Sequence, residues 1–289
     1  MLSKEFMTEN IYADHWKIAR AEAEAAGHEI IEHGWEQHVI IDHPNETVYR
    51  YPRHAAAAAK LNDEVGVLKA INALSWNIQL PVMQEHNAIY SSYRYVPGEV
   101  LLHEDAKHLT DEQCDQIGSQ LGIFLAQLHG LDPSIAEQKV TKQTTTLFEY
   151  YAERIAGGSN TPFFDAANQR LQQLKATTDP TLQVIVHGDL HGPNIVVNDR
   201  KELTGVIDFS ELEIGNPHQE FRKLFMTDTR LLKPAVEAYE QAGGQPLNAI
   251  EIVLWAYVNE WANMCNFADA PDNLTYQRAQ EHLQLWNQL

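Results

Sequence analysis

The sequence "VIVHGDLHGPNIVVNDRKELTGVIDF" occupies residues 184–209, and its first and last apolar runs each end in an aspartate. The first run breaks before Asp189, and Asn194 opens another apolar run shortly afterwards. The turn-forming letters "NDRKE" then return the chain to the run that carries Asp208. A loop followed by a hairpin is therefore predicted to bring two carboxylates and one carboxamide together.

These oxygen-bearing side chains are typical of a magnesium-dependent phosphoryl-transfer site. Mg²⁺ prefers oxygen ligands, and proteins bind it through one or two carboxylates together with substrate phosphates. Phosphoryl transfer needs one carboxylate that orients the attacking hydroxyl and accepts its proton, while an amide and a second carboxylate hold the metal. A lone aspartate at a strand end is usually a turn residue, but the three residues together favour a nucleotide-dependent kinase site.

Composition and charge exclude several classes of partner. The chain has 289 residues, a length typical of two domains. Its 40 acidic and 21 basic residues give a formal charge of −19, so we expect no nucleic-acid or membrane partner and a preference for cationic ligands. No stretch approaches ~18 consecutive apolar residues, and "MLSKEFMTEN" lacks the apolar core of a signal peptide. Two cysteines far apart in the sequence fit a reducing compartment, and we expect a cytoplasmic protein.

The character of the sequence changes near residue 97. Before this point, short strand-like segments are separated by turn residues, with helices predicted over residues 8–27 and along the alanine-rich segment after Pro52. Beyond it, most segments have apolar residues at helical spacing. We therefore predict an α/β (α+β) chain with a β-rich N-terminal lobe (residues 1–97) and a mainly helical C-terminal lobe (residues 98–289).

The motif "HGDLHGPN" followed by "VIDF" resembles the signature of the aminoglycoside phosphotransferase and choline kinase superfamily, which has a two-lobed, protein-kinase-like fold. The resemblance implies that Asp189 is the catalytic aspartate and that Asn194 and Asp208 are Mg²⁺ ligands. It also implies that His187 braces the catalytic loop. The later "GNPHQEF" is similar to a Gly-x-Pro-x-x-acid segment of the family, with Glu220 where aspartate is more usual.

The N-terminal lobe conforms to the same resemblance. Kinase-like folds hold the nucleotide phosphates with a strand cation that is paired with a helix carboxylate, which here implies Arg50 and Glu64. Many members have lysine at the first position, and Arg53 is a second candidate for the cation. The segments "GWEQHVII", "YRYPR" and "YRYVPGE" look closest to the branch of aminoglycoside 2''- and macrolide 2'-phosphotransferases. The predicted hinge, whose backbone would hold the purine, consists of Tyr93, Arg94 and Tyr95.

The implied reaction transfers the γ-phosphoryl group of ATP or GTP to a hydroxyl of a small molecule. An aminoglycoside-like or macrolide antibiotic is the leading acceptor, since protonated amines suit so acidic a chain. A choline-like amine, homoserine or a sugar is the alternative. Glu211, Glu213 and Glu260 are candidates for binding an ammonium group of the acceptor.

Two other functions compete with this one. "HGDLHG" contains the Gly-Asp-x-His-Gly of binuclear metallophosphoesterases, with His187 and His191 as possible ligands. Those enzymes are expected to have later Gly-Asp-x-x-Asp and Gly-Asn-His segments, whereas this chain has "GNPH". A catalytically silent nucleotide-binding module is the second alternative. It is disfavoured because a degraded site should have lost at least one of the three acid and amide positions.

Overall fold

The computed structural model describes residues 4–32, 36–135 and 144–286. It divides into two compact units, each made from two separate parts of the chain. The first unit consists of Met1–Val100 and Asn194–Glu211, and the second of Leu101–Pro193 and Leu212–Leu289. The predicted boundary at residue 97 assigned all later residues to the C-terminal lobe. In the structure, residues 194–211 belong to the first unit instead.

The chain contains both helices and strands, and the predicted mixed α/β fold is confirmed. Among the described residues, no helix has the length and apolarity needed to cross a membrane. The helices are α1 (Lys4–Ala26), α2 (Ala55–Ile71), α3 (His103–Ala106), α4 (Asp111–His129), α5 (Thr144–Gly157), α6 (Phe164–Thr177), α7 (Pro217–Thr227), α8 (Leu232–Gln241), α9 (Ala249–Asn266) and α10 (Leu274–Trp286). The strands are β1 (Glu29–Ile31), β2 (Gln37–Asp42), β3 (Thr47–Pro52), β4 (Met83–His86), β5 (Ser91–Arg94), β6 (Glu99–Val100), β7 (Val184–Val186), β8 (Ile195–Val197), β9 (Leu203–Val206) and β10 (Glu213–Gly215).

The first unit is built on an antiparallel sheet with the strand order β1-β2-β3-β5-β4. Its central strand β3 carries Arg50, which lies opposite Val39 of β2 and Ser91 of β5. Helix α1 begins before the predicted Thr8 and ends where predicted, at Gly27, whose φ of +73° suits glycine. The central position of β3 fixes the backbone that carries the predicted phosphate-binding cation.

Helix α2 places an acid on its buried face. The five alanines at its start are good helix formers, and the His54 side chain caps it by accepting a hydrogen bond from the Ala57 amide at 3.1 Å. Leu61, Val65 and Leu68 are buried at helical spacing, and Glu64 shares this face. A carboxylate at a core-facing position needs a partner, because an isolated buried charge is costly.

The predicted hairpin of residues 195–208 forms a second, smaller sheet within the first unit. Strands β8 and β9 pair antiparallel, with Ile195 opposite Val206, and β6 pairs with β8 on the other side. Gly98, with a φ of +132°, leads into β6, and a Cβ there would lie 2.4 Å from the Val197 carbonyl oxygen. This pairing explains why residues 98–100 and 194–211 belong to the first unit.

The second unit is mainly helical, as predicted. Strands β7 and β10 pair antiparallel, and a core of buried residues lies among α5, α6 and α9. Helix α4 begins with a capping box in which Thr110, the predicted cap, and Gln113 bond reciprocally. Helices α4 and α8 approach closely, since a Cβ on Gly122 would lie 2.2 Å from the Ala235 carbonyl oxygen. The helices of the second unit are therefore densely packed.

Gly192, three residues after Asp189, leads to a stability prediction. A Cβ at this position would lie 2.1 Å from the Leu101 carbonyl oxygen and 3.3 Å from Cγ2 of Thr227. Because the nearest atom is backbone, Gly192→Ala is expected to cost roughly 1–3 kcal/mol of unfolding free energy, measured by chemical denaturation. Gly157→Ala is the matched control, since no atom lies within 4 Å of its added Cβ. If Gly192→Ala and Gly157→Ala were equally stable, the close approach of Gly192 to the Leu101 carbonyl oxygen would be contradicted.

Candidate active site

Arg50 is the centre of an ion network within the first unit. Its Nη1 donates to both carboxylate oxygens of Glu64, at 2.7 and 2.9 Å. Its Nη2 donates to Oδ1 of Asp208 at 2.9 Å, and its Nε donates to the Gln37 side chain. The planar guanidinium is suited to such simultaneous contacts, which a lysine ammonium could not reproduce in the same geometry. The structure therefore brings together three of the predicted site residues.

Glu64 is the buried anchor of this network. Its side chain is fully buried, and it also accepts a hydrogen bond from the Phe209 amide at 3.2 Å. Burial raises the pKa of Glu64, an effect that the positive charge of Arg50 offsets only in part. Burial by itself would lower the pKa of Arg50, but the charges of Asp208 and Glu64 outweigh it and raise this pKa. The guanidinium therefore stays charged.

Asp208 and Asn194 lie at neighbouring ends of the β8–β9 hairpin. The Asn194 carbonyl oxygen accepts a hydrogen bond from the Ile207 amide at 3.0 Å, one residue before Asp208. Asp208 has a φ of +62°, a left-handed conformation that aspartate tolerates better than most residues, and its side chain is 39% exposed. Asn194 is 7% exposed. This backbone pairing brings Asn194 and Asp208 close together, as predicted.

The pair fits a magnesium ion by the chemistry of its donors. One carboxylate and one amide supply oxygen ligands, and Mg²⁺ takes its remaining ligands from phosphates and water. Within the described ranges, no group of three or more His, Cys, Asp or Glu residues has the geometry of a metal site. Asn194 and Asp208 stay the predicted ligands of a metal ion that binds together with the nucleotide.

Asp189 belongs to the second unit, whereas Asn194 and Asp208 belong to the first. It follows β7 and Gly188, whose φ is +80°, and its side chain is 32% exposed. One oxygen lies 2.8 Å from the Lys223 ammonium and the other 3.2 Å from Nε2 of His191. Burial would raise the pKa of Asp189, but the hydrogen bond with His191 and the charge of Lys223 outweigh burial and lower this pKa. Asp189 is therefore ionised at neutral pH.

Lys223 is a site residue that the sequence motifs did not indicate. It lies on α7, which begins at Pro217 with Asn216 as its cap. Glu220 and Lys223 are three positions apart and therefore share one face of the helix. Glu220 contacts the amide of Gly188, and Lys223 contacts the next residue along the loop. In the sequence, the spacing of three positions between Glu220 and Lys223, just after the Gly-x-Pro segment, could have indicated that both residues face this loop.

Glu220 lies beneath the loop that carries Asp189. It is 1% exposed, and its Oε2 accepts a hydrogen bond from the Gly188 amide at 3.2 Å. Burial raises the pKa of Glu220 to about 7, although this hydrogen bond and the charge of Arg222 act in the opposite direction. The adjacent His187 is fully buried, and its Nδ1 lies 3.4 Å from the Asp189 amide nitrogen, which donates to it. Both side chains therefore contact the loop from inside the unit.

The raised pKa of Glu220 predicts a pH dependence of stability. Because the folded protein binds this proton more tightly than the unfolded chain, the contribution is complete in acid and is lost as the pH rises through about 7. Between about pH 5 and about pH 8, wild type should lose more unfolding free energy than Glu220→Gln, by up to about 3 kcal/mol. Thermal unfolding across this range measures the difference. The exposed-site control Glu112→Gln should keep the wild-type slope, and a steep slope in Glu220→Gln would contradict the assignment.

The predicted hinge lies at the end of β5. Tyr93 is 2% exposed, and the Arg50 guanidinium lies 5.8 Å from the centre of its ring, so this side chain packs behind the cation. The amides of Arg94 and Tyr95 donate to backbone carbonyls of the same unit, both at 2.8 Å. Those two donors already have partners. Purine binding by residues 93–95 stays a prediction. It would have to use backbone groups of this segment other than the amides of Arg94 and Tyr95. Gly34 and Trp35, the first two residues of the segment "GWEQHVII", lie outside the described residues.

Glu211, a predicted acceptor-binding acid, is part of an ion cluster in the first unit. Its carboxylate lies 2.9 Å from the Lys60 ammonium, which also contacts Glu36 at 2.6 Å. Each of these side chains is about one-third to two-fifths exposed. Glu211 is thus already paired with a cation.

Glu260 and Glu213 lie inside the second unit, 2% and 3% exposed respectively. The oxygens of Glu260 accept from Asn263 at 3.0 Å and contact Nδ1 of His282 at 2.8 Å. Glu213 accepts from Gln219 at 2.8 Å. Because both oxygens of Glu260 have protein partners, its position does not support the predicted direct contact with an ammonium group.

Comparison with known proteins identifies the family of the chain. A family model described as "Phosphotransferase enzyme family" matches residues 28–260. Residues of the chain are also 32% identical over 87 positions to the uncharacterized protein YcbJ of Bacillus subtilis (strain 168). That match covers 28% of this chain and about a quarter (24%) of that protein's length.

Several solved structures share the fold. A GDP and kanamycin complex of APH(2")-IIia has a TM-score of 0.71 at 18% identity, covering 90% of this chain and 92% of that one. Macrolide 2'-phosphotransferase type I has a TM-score of 0.69 at 20% identity, with 89% and 90% covered. Macrolide 2'-phosphotransferase MphH from Brachybacterium faecium has a TM-score of 0.66 at 19% identity, with 89% and 91% covered. These likenesses confirm the predicted protein-kinase-like fold. Since the family model spans most of its length, the chain belongs to the phosphotransferase enzyme family, as the resemblance of its motifs predicted.

Proposed function

We propose that this protein transfers the γ-phosphoryl group of a nucleoside triphosphate to a hydroxyl of a small molecule. The observation that carries the proposal is the bonding of Arg50 to both Glu64 and Asp208. Kinase-like enzymes hold nucleotide phosphates with a strand cation that a helix carboxylate fixes in place, next to a metal-binding aspartate. The first unit contains that set of groups.

In the proposed reaction, Asp189 orients the acceptor hydroxyl and accepts its proton. The hydroxyl oxygen forms a bond to the γ-phosphorus, the bond from this phosphorus to the bridging oxygen breaks, and a nucleoside diphosphate leaves. An ionised carboxylate is required for the first step, and the lowered pKa of Asp189 provides it. Lys223 keeps the carboxylate in place through its 2.8 Å contact.

Arg50 would bind the phosphates in the proposed complex. Asn194 and Asp208 would hold Mg²⁺, which neutralises phosphate charge when it is bound. Asp208 currently pairs with Arg50, so a nucleotide would exchange part of this internal ion pair for contacts with phosphate and metal. The first unit would thus bind the donor, while Asp189 of the second unit acts on the acceptor.

The donor is proposed to be ATP or GTP, and the acceptor an aminoglycoside-like or macrolide compound in the first instance. The formal charge of −19 supports an acceptor that carries protonated amines. Two of the similar structures bear on this choice, since one is a GDP and kanamycin complex and another is a macrolide 2'-phosphotransferase. A choline-like amine, homoserine or a sugar is the alternative acceptor.

An acceptor screen tests the proposal. Purified protein is incubated with Mg²⁺ and either ATP or GTP, and release of nucleoside diphosphate is followed with kanamycin-like, erythromycin-like and metabolite acceptors. Acceptor-dependent release is the expected result, with the phosphorylated product identified by mass spectrometry. Tight nucleotide binding without turnover of any acceptor would instead identify a silent nucleotide-binding module.

A further inference from the structure

The second unit contains a cavity of about 320 Å³ bounded by α3, the C-terminal end of α7, and α10. Its lining includes His103, Phe225, Thr227, His282 and Trp286. The volume lies at the lower end of the range of roughly 300–1,000 Å³ that is usual for small-molecule sites. A single sugar-sized ring, or one ring of a larger molecule, matches this space.

A buried histidine supplies a hydrogen-bonding group at this cavity. His282 is 8% exposed, and its Nδ1 lies 2.8 Å from Oε1 of Glu260. A carboxylate only accepts hydrogen bonds, so Nδ1 of His282 carries a proton, and in this tautomer Nε2 is an acceptor. Among the residues that the structure describes, Nε2 has no hydrogen-bond partner. A ligand hydroxyl that donates to Nε2 would remove the free-energy cost of leaving it unpaired.

The charged residues around the cavity do not favour a highly charged ligand. Lys107 contacts Glu104 at 2.8 Å, and Asp228 contacts Arg230 at 2.8 Å. Burial lowers the pKa of His103, which is therefore neutral near pH 7. Glu281 lies on the exposed side of α10. Neither a phosphate group nor several ammonium groups would find a matching set of buried counter-charges here.

One wall of the cavity is apolar and fixed in place. Trp286 is 4% exposed; its ring stacks on His282 at 5.2 Å and lies 4.9 Å from the Phe225 ring. Leu285, which is 51% exposed, adds apolar surface to the lining. An apolar wall beside one hydrogen-bond acceptor suits a ring that has an apolar face and hydroxyls at its edge.

Helix α7 connects this cavity to the loop that carries Asp189. Thr227, in the cavity lining, accepts a hydrogen bond from the Gly192 amide at 3.0 Å. Lys223, one helical turn earlier, contacts Asp189 at 2.8 Å. The cavity and the proposed catalytic carboxylate are therefore attached to the same rigid element.

We propose that this cavity binds the phosphoryl acceptor and that the bound part is an uncharged hydroxylated ring, one of whose hydroxyls donates to Nε2 of His282. The inference rests on the proposed phosphotransferase function. It narrows the acceptor class: the net charge supports a cationic acceptor, whereas the lining of this cavity fits a ring that carries no charge. The hydroxyl bound by His282 orients the ring, and another hydroxyl is the one that reacts.

The test combines binding and turnover. Calorimetric titrations use methyl glucoside and myo-inositol as uncharged probes, kanamycin as a polycation and glucose 6-phosphate as an anion. Nucleoside diphosphate release is then measured with each probe and either ATP or GTP. Leu285→Trp should obstruct the cavity from its exposed side, and His282→Ala removes the acceptor atom. Leu274→Trp, at another exposed position of α10, is the matched control.

Uncharged probes should bind to wild type and Leu274→Trp, and their KM should rise about tenfold or more in Leu285→Trp and His282→Ala. Acceptor turnover with unchanged KM in Leu285→Trp would overturn the cavity assignment and leave the kinase function intact. Exclusive turnover of kanamycin would overturn the acceptor class. A third outcome is that both substitutions weaken binding of the uncharged probes but no acceptor gives diphosphate release. This result would overturn the proposed phosphotransferase function, although the cavity would still be a ligand site.

Discussion

Asp189→Asn is expected to lower kcat for phosphoryl transfer by roughly 10²–10⁴-fold, the usual contribution of a positioned general base. The amide keeps the size of the side chain but cannot accept the proton of the acceptor hydroxyl. Wild-type turnover is expected to persist below neutral pH because the pKa of Asp189 is lowered, and the amide removes this dependence. Diphosphate release at saturating donor and acceptor measures the effect.

The control for this substitution is Asp199→Asn, an exposed position in the turn between β8 and β9. It removes the same charge and should leave kcat unchanged. Nucleotide affinity should also be retained in Asp189→Asn, since Arg50, Asn194 and Asp208 are intact. Equal kcat in wild type and Asp189→Asn would remove the catalytic assignment, whatever acceptor is used.

Arg50→Ala is expected to have the largest effect on stability. The side chain of Glu64 is fully buried, and without Arg50 it loses the cation that contacts both of its oxygens. Breaking a buried ion pair from one side typically costs about 3–5 kcal/mol, which corresponds to a fall of about 10 °C in Tm. Thermal unfolding measures this loss, and nucleotide titration should show weaker binding of ATP or GTP.

Arg53→Ala is the matched control, and it decides which of the two arginines binds the nucleotide phosphates. Arg53 donates to the Glu32 carbonyl oxygen, whereas Arg50 contacts two carboxylates. Arg53→Ala should therefore retain nucleotide affinity. The double variant Arg50→Ala/Glu64→Leu separates the two effects, because it removes the uncompensated charge and should recover stability without recovering nucleotide binding. Loss of nucleotide binding in Arg53→Ala alone would reverse the assignment.

Local patterns were sufficient to predict most elements. The helix predicted over residues 110–129 is α4 (Asp111–His129), because its cap and apolar spacing lie within a few turns of each other. The convergence of Asn194 with the strand leading to Asp208 followed from the short hairpin that joins them. The Arg50–Glu64 contact was predicted from the resemblance rather than from spacing, since nothing local joins a strand cation to a later helix.

Contacts between distant parts of the sequence could not be predicted in the same way. Lys60 neutralises Glu211, and His282 binds Glu260, across intervals that no periodicity relates. Both acids therefore looked available for an ammonium group when only their own segments were considered. The pairing of β6 with β8 likewise shifts residues 194–211 to the first unit, which a boundary based on composition does not reveal.

The discontinuity of the first unit has a consequence for biosynthesis. As the ribosome releases the chain, Met1–Val100 emerges long before its missing portion, Asn194–Glu211. Until then β6 has no neighbour in its sheet, and Arg50 lacks its aspartate partner. Distant pairings of this kind slow folding, since an intervening segment must be closed into a loop first. A fragment ending near residue 100 should consequently be aggregation-prone, and a useful split version of the protein would need the β8–β9 hairpin supplied with the N-terminal piece.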